Sequence, residues 1–373
     1  MLLRPLDGCG GSSGNRPVPE PVHQAAFLSQ FATALLVAAG IAPDRARLIA
    51  LLLVEADLMG HTTHGLALLP GYLEELAAGT MARSGEPEVI RDTGACLTWD
   101  GKRLPGVWLT AHAIDIAIPR ARQYGTATVV IRRSHHIACL GAFLTRATEQ
   151  GLMILLASSD PSDASVAPFG GTTAIFTPDP IAVGIPTGAA PILIDTSASI
   201  TTNGMSARLR GEGRRFDHPW LLDAAGNPTD DPQVLVADPP GTIQPAGGLD
   251  HGHKGYALAL MVEALTMGLG GFGRAEPSEG WGASVFVQIL DPDAFAGSDA
   301  FRRQTGWIAD ACRAATPRSG VERVRLPGEA ALASLARGVA EGVTLHPGIM
   351  SRLDSWAGRL GVALDATGEA GRE

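Results

Sequence analysis

The stretch Thr126-Ala127-Thr128-Val129-Val130-Ile131, followed at once by Arg132-Arg133-Ser134-His135-His136, decides how the rest of the chain reads. Its β-branched residues describe a strand, and the strand gives out at a hydroxyl and two imidazoles. Working outward, a strand is expected over 95–99 and a helix over 107–124, with Pro119 expected to kink it. On the other side a helix over 138–150 and a strand over 152–157 follow. Further strands read at 181–185, 192–196 and 285–290, with a long helix over 255–267 before the last of them. This alternation predicts an α/β domain.

The flanks have a different texture. Pro43 and Asp44 start a helix whose apolar part runs from Leu48 to Met59, and Gly60 stops it. An amphipathic helix reads over 66–76, ending before Gly79, with Pro70 and Gly71 able to break its first turn. Between the two lies His61-Thr62-Thr63-His64-Gly65, an interhelical turn. Helical stretches over 299–315 and 329–342 return to the same texture. The division that follows is a helical lobe of 23–94 plus 296–365 built from both chain ends, a sheet domain of 95–295, and tails at 1–22 and 366–373.

A chain of 373 residues exceeds what one hydrophobic core usually serves. Hydrophobic residues at 45% and charged residues at 18% describe a globular protein, and 46 Gly with 26 Pro imply many tight turns. A net charge of -9 argues against a nucleic-acid partner, because backbone binding needs clustered Lys and Arg. No apolar run reaches the roughly 18 residues that would suggest a membrane span. The first 22 residues lack the apolar core of a signal peptide. Cysteines at 9, 96, 139 and 312 show neither disulfide nor zinc-ribbon spacing, so the cytoplasm is the expected compartment.

The two histidine segments hold four of the ten histidines, beside hydroxyls and breakers, and read as halves of one active site. Gly268-Leu269-Gly270-Gly271-Phe272-Gly273 satisfies the dinucleotide fingerprint by letter, yet it trails a helix instead of joining a strand to one, so it reads as a glycine-rich helix exit. Lys254, in Gly252-His253-Lys254-Gly255-Tyr256, sits near a helix start where backbone N–H groups suit a phosphate or carboxylate; a solvated lysine at a turn fits equally. His251 and His253 with His135 and His136 offer imidazoles to zinc or iron, but their spacing matches no ligand pattern, so no metal is expected. A Ser/His/Asp hydrolase finds no G-x-S-x-G elbow.

Several ordered motifs then carry a resemblance that runs from about 25 to 360. They are Thr63-His64-Gly65 with Leu69-Pro70-Gly71-Tyr72, Ser134-His135-His136, Val166-Ala167-Pro168-Phe169-Gly170-Gly171, Pro180-Ile181-Ala182 with Ile185-Pro186-Thr187, Asp195-Thr196-Ser197, and Lys254-Gly255-Tyr256-Ala257-Leu258. The chain resembles the malate/L-lactate dehydrogenase family that lacks a standard Rossmann fold and includes sulfolactate dehydrogenase, ureidoglycolate dehydrogenase and piperideine-2-carboxylate reductase. The resemblance implies a sulfolactate-dehydrogenase-like fold whose mixed-sheet domain holds the cofactor. It also implies a homodimer and an NAD(P)-dependent oxidoreductase of small 2-hydroxy or 2-oxo acids. It places His136 as general acid/base and His64 with Thr63 in the substrate pocket. Asp195, Thr196, Ser197 and Lys254 would line the cofactor, with Ser159 and Asp160 at the same pocket. NADP and NAD both stay open, with NADPH ahead.

Three departures mark this chain. The family's serine before the first histidine is Thr63, and the arginine expected three residues after the glycine is Leu68, which cannot hold a carboxylate; Arg132 and Arg133 are candidate replacements for substrate binding. Asp179 stands where the family has asparagine, and His135 stands where asparagine commonly precedes the catalytic histidine. Two alternatives therefore stay in view: reduction of a cyclic ketimine carboxylate, and an inactive ligand-binding homologue.

Overall fold

The computed structural model describes residues 21–363, so the expected tail at 366–373 and all but the end of the one at 1–22 lie outside the described residues. The N-terminal helices are α1 (Ala25–Ala38), α2 (Pro43–Leu58) and α3 (Leu69–Ala78). In α2, Pro43 occupies the first turn, where its missing N–H costs nothing, and Asp44 faces the positive end of the helix dipole. Pro70 is placed the same way in α3, so it starts that helix instead of breaking it. Gly79 ends α3 in the left-handed conformation, φ 77°.

Seven strands form the main sheet: β1 (Glu88–Asp92), β2 (Cys96–Asp100), β3 (Thr126–Ser134), β4 (Met153–Ser159), β5 (Pro180–Ile185), β6 (Ile192–Ser197) and β7 (Ala283–Leu290). Their spatial order is β1-β2-β3-β7-β4-β5-β6. Only β2 and β3 run parallel, joined by the crossover helix α4 (Gly106–Tyr124); every other neighbouring pair is antiparallel. The fold is thus α/β with a mixed sheet, as expected.

Alternation along the strands assigns the two faces. Val129, Ile131, Val285 and Val287 point into a core shared with Leu28, Leu53 and Leu73 of the helices from the chain's beginning and Leu353 from near its end. Val130, Ala157 and Phe286 point the other way, onto Val262.

The structure adds and corrects elements. No helix spans 138–150: Ala138 has φ 61°, a 3-10 turn covers Gly141–Phe143, and only α5 (Thr145–Thr148) is helical. The Gly141 N–H is instead spent on the Asp195 carboxylate, 2.7 Å away, so this backbone serves the site rather than a helix ladder. The short α6 (Asn203–Gly211) was not anticipated. Nor was a small sheet of Leu221–Leu222, Pro228–Thr229 and Thr242–Ile243. α7 (Gly248–Glu263) begins earlier than expected, breaks at His251 (φ -129°, ψ 15°) and runs into a π-helical turn, Ala264–Gly268. The glycine cluster at 268–273 is the exit from that turn.

The remaining helices are α8 (Ser298–Ala314), α9 (Glu329–Glu341) and an unanticipated α10 (Ile349–Leu360). α8, grouped by sequence with the helical lobe, packs through Ala309 and Cys312 on Ile192 and Ile194 of β6. No described helix is long and apolar enough to cross a membrane.

Gly106 opens α4 directly beneath the second histidine segment, and a Cβ there would run into the carbonyl oxygens of His135 and His136. Gly106→Ala is therefore expected to cost about 2–4 kcal/mol in a urea titration, because the obstructing atoms are backbone and cannot rotate away. A variant as stable as the parent would mean that the turn yields freely.

Candidate active site

The two histidine segments meet in a cleft of about 950 Å3. Asp57, on the last turn of α2 and only 2% exposed, accepts the Leu66 N–H at 2.7 Å and so folds the intervening turn back on the helix. A Cβ on Gly65 would occupy the place of that carboxylate, which is why glycine follows His64. Burial pushes Asp57 up to about 7, against the opposing pull of the Leu66 N–H and Arg208. Behind the lining, Arg208 of α6 donates to the Thr62 hydroxyl and to the Thr62 carbonyl, each at 2.8 Å.

His64 Nδ1 lies 2.9 Å from the Thr63 hydroxyl, and its ring faces His136 with centroids 6.3 Å apart. His136 Nδ1 lies 2.8 Å from the Tyr72 hydroxyl and 3.3 Å from the Ala138 N–H. Trp281 packs on both rings, 4.9 Å from His136 and 5.4 Å from Tyr72. His136 is held well below the ordinary histidine range by burial, then by His64 and His135. His64 is lowered by burial, with Asp195 opposing. Both rings are neutral near pH 7, each holding one proton on one of two nitrogens.

His135 turns away from the cleft. It is fully buried against Tyr72 and Trp281, with Nε2 3.4 Å from Glu75, and burial lowers it to about 4.

Other residues marked by sequence line the same cleft: Ser159, Asp160, Asp195, Thr196 and Ser197. Asp160 accepts the Ser162 N–H at 2.8 Å and the Gly282 N–H at 3.2 Å, while burial raises its pKa. Ser159 donates to Glu263 at 2.8 Å and lies 3.2 Å from Thr177, whose hydroxyl donates to Asp179 at 2.6 Å. Asp179 is fully buried at φ 47°, a left-handed conformation that asparagine and aspartate tolerate best among residues with a Cβ. Its other oxygen has no hydrogen-bond partner, and burial raises it to about 7.

Three expected residues are not brought to the cleft. Lys254 is exposed on α7, outside the lining. Arg132 and Arg133 pair with Asp100, and Arg133 also with Glu279, so neither takes the place left by Leu68, which does line the cleft. Tyr72 and Trp281 escaped sequence reasoning as site residues, because they lie 64 and 145 positions from His136 and only the fold makes them neighbours. The start of α6, capped by Thr202 at 3.2 Å from the Met205 N–H, also opens on the cleft.

The lining suits a dinucleotide. Hydroxyls of Ser158, Ser159, Thr196, Ser197 and Thr201 match ribose and phosphate oxygens, and the α6 N-terminus offers backbone N–H groups to an anion. Asp195, already fixed by Gly141, presents a carboxylate among them.

Against known proteins, a family profile described as malate/L-lactate dehydrogenase matches residues 23–354. L-lactate dehydrogenase of Cupriavidus necator is 30% identical over 90% of this chain and 97% of its own length. The (2R)-3-sulfolactate dehydrogenase (NADP(+)) of Chromohalobacter salexigens is 33% identical over 87% of this chain and 95% of its own. The crystal structure of delta1-piperideine-2-carboxylate reductase from Pseudomonas syringae superposes with a TM-score of 0.77 at 28% identity, over 90% of this chain and 100% of that one.

The buried carboxyls set a pH dependence. Folded Asp57 and Asp179 keep their protons up to about 7, whereas the unfolded groups release theirs near 3.8. Between those values the folded state holds more protons, so stability is full below the lower value and declines as pH rises toward the higher one. Asp179→Asn keeps an acceptor for the Thr177 hydroxyl and makes the decline shallower. An unchanged slope of urea midpoint against pH would show that Asp179 ionises normally.

Proposed function

The chain belongs to the malate/L-lactate dehydrogenase family, whose members are dehydrogenases and reductases of hydroxy acids, and from that premise we propose that it moves hydride between a nicotinamide cofactor and a small 2-hydroxy or 2-oxo acid. The observation that carries the reading is the hydrogen bond between His136 Nδ1 and the Tyr72 hydroxyl. The cofactor, when bound, supplies the hydride. The protein has to move one proton at the substrate oxygen.

His136 is the proton-transferring group in this proposal. The Tyr72 hydroxyl can send its hydrogen to Nδ1 at 2.8 Å or to the His136 carbonyl at 3.5 Å. In the second arrangement its oxygen accepts from Nδ1–H, and the Ala138 N–H gives up its 3.3 Å contact with Nδ1, which leaves Nε2 free to take the alcohol proton on oxidation or to return it on reduction. Burial keeps the Tyr72 phenol above its ordinary range, so tyrosine orients the ring without ionising. His64, held by Thr63, forms the opposite wall and gives the developing alkoxide a second hydrogen-bond partner.

Asp195, Thr196, Ser197, Ser159 and Asp160 would hold the cofactor. NADP is ahead of NAD in this reading because a relative's name carries it. We place the protein in the cytoplasm, in keeping with the free Cys96, Cys139 and Cys312. We also assign it a homodimer: α7 leaves Leu258, Leu260 and Met261 39–48% exposed, apolar side chains open to a second copy. The likeness to a piperideine-2-carboxylate reductase supports a second substrate class, the cyclic ketimine carboxylates. An imine that reacts as its protonated form should turn over faster toward acid, which separates the two classes by pH profile.

The deciding assay follows reduced-nicotinamide absorbance for NADPH and NADH against 2-oxo acids and cyclic ketimines. His136→Ala is expected to lose roughly 10²–10⁴ in kcat. Tyr72→Phe should lose less, because the ring remains but is no longer oriented. Turnover surviving in His136→Ala would remove that residue from the proton step. Light scattering is expected to give a dimer mass that Leu260→Glu reduces to a monomer's; a monomeric parent chain would end the dimer assignment.

A further inference from the structure

Among the described residues no lysine or arginine lines the cleft, and Leu68 stands where the family's carboxylate-binding arginine is expected, so an acid substrate needs another counter-charge. The cleft that Leu68 lines also brings together three groups from separate elements: His61 from the α2–α3 turn, Cys139 from the segment after β3, and Asp195 from β6. One ligand atom from each lies within 4.8 Å of the other two. Cys139 Sγ is 3.7 Å from Asp195 Oδ2.

We propose that His61, Cys139 and Asp195 bind a zinc-type divalent transition-metal ion, whose open side takes the substrate's carboxylate and 2-oxygen, expanding it to five-coordinate, in place of the missing arginine.

Bond lengths of about 2.0–2.3 Å put tetrahedral ligand atoms roughly 3.3–3.7 Å apart. The sulfur and carboxylate already meet that spacing, and the nitrogen of His61, half-buried on a surface turn and within 4.8 Å of both, has to move in by no more than about 1.5 Å. One nitrogen, one sulfur and one oxygen suit zinc or cobalt and not magnesium or calcium, which prefer oxygen alone. Three protein ligands and one open position are the arrangement of catalytic zinc sites, structural ones being closed by four. The outer shell is also built: the Gly141 N–H holds Asp195 at 2.7 Å, and a Cβ on Gly141 would meet Asp195 Oδ2 at 2.9 Å. A chelated 2-hydroxy acid would then lie in the same cleft as His64 and His136.

The second half of the proposal rests on the hydroxy-acid reading above; the ion site itself does not. The full-length chain, stripped of metal by chelator, is titrated with Co²⁺. The expected result is one cobalt per chain with a thiolate-to-cobalt band in the near ultraviolet and visible d–d bands of tetrahedral intensity. Cys139→Ser should abolish the near-ultraviolet band and weaken binding by more than the roughly 10- to 100-fold typical of outer-shell changes. His61→Gln, a change on the turn, should weaken it without disturbing the fold. Lactate added to the cobalt form should then shift the visible bands.

Cobalt that binds without the thiolate band, or equally well to Cys139→Ser, overturns the site. Visible bands that do not move with lactate, malate or sulfolactate overturn the carboxylate role. Neither readout needs turnover. A chain that shows the bands yet stays idle with every nicotinamide and substrate would fail the dehydrogenase reading alone.

Discussion

One buried hydrogen bond sets the position of the first histidine segment: the Asp57 carboxylate takes the Leu66 N–H from nine residues ahead. It bends the chain between α2 and α3 tightly enough that His64 faces His136 across the cleft. A carboxylate in this place has to be desolvated, and only the Leu66 N–H and the charge of Arg208 offset that cost. Desolvating an acid is costly unless it is neutralised or bonded, and here one oxygen is bonded and the other is not. The helical packing around Leu53, Leu66 and Leu73 supplies the stability that such a group draws on.

A similar economy governs the opposite wall. Glu263, Ser159, Thr177 and Asp179 form a chain of hydroxyls between two carboxyls, and Arg274 donates to Glu263 at 2.8 Å and to the Asp163 carbonyl. Burial first, and the nearby Glu263 carboxylate second, make the charged form of Asp179 unfavourable, so this acid holds its proton while Glu263 keeps the guanidinium of Arg274. The site's two histidines are neutral for the complementary reason. Around His64 and His136 the protein's own groups therefore carry little formal charge.

How much of this was legible in the chain depends on the distance over which each feature is determined. Strands such as β3 and β7 declared themselves because short unbroken runs rich in β-branched residues are a local signal, and α2 because Pro43, Asp44 and Gly60 punctuate it. The helix expected at 138–150 failed because its apolar spacing is helical while Gly141 is claimed by Asp195, 54 residues away. α6 escaped because a nine-residue, arginine-rich segment carries weak periodicity, whereas α10 spaces Ile349, Leu353, Trp356 and Leu360 at helical intervals and was legible in the chain. In the site, the ordered motifs pointed to His64, His136 and Asp195, all of which line one cleft. They could not show that Arg132 and Arg133 are engaged by Asp100, nor that Tyr72 and Trp281 close over the second histidine, since those pairings exist only once the sheet has formed.

The strand order carries a consequence for how the chain assembles. β7, which lies between β3 and β4 and bonds to both, is supplied by residues 283–290, more than 120 positions after either neighbour. Until it arrives, β3 and β4 each present an unpaired edge of valine, isoleucine and leucine, the kind of surface that pairs with other chains. On the ribosome, where roughly 5–20 residues are added each second, that exposure lasts several seconds or longer. The same insertion that puts the most buried strand at the centre of the sheet makes the half-made protein its own principal hazard.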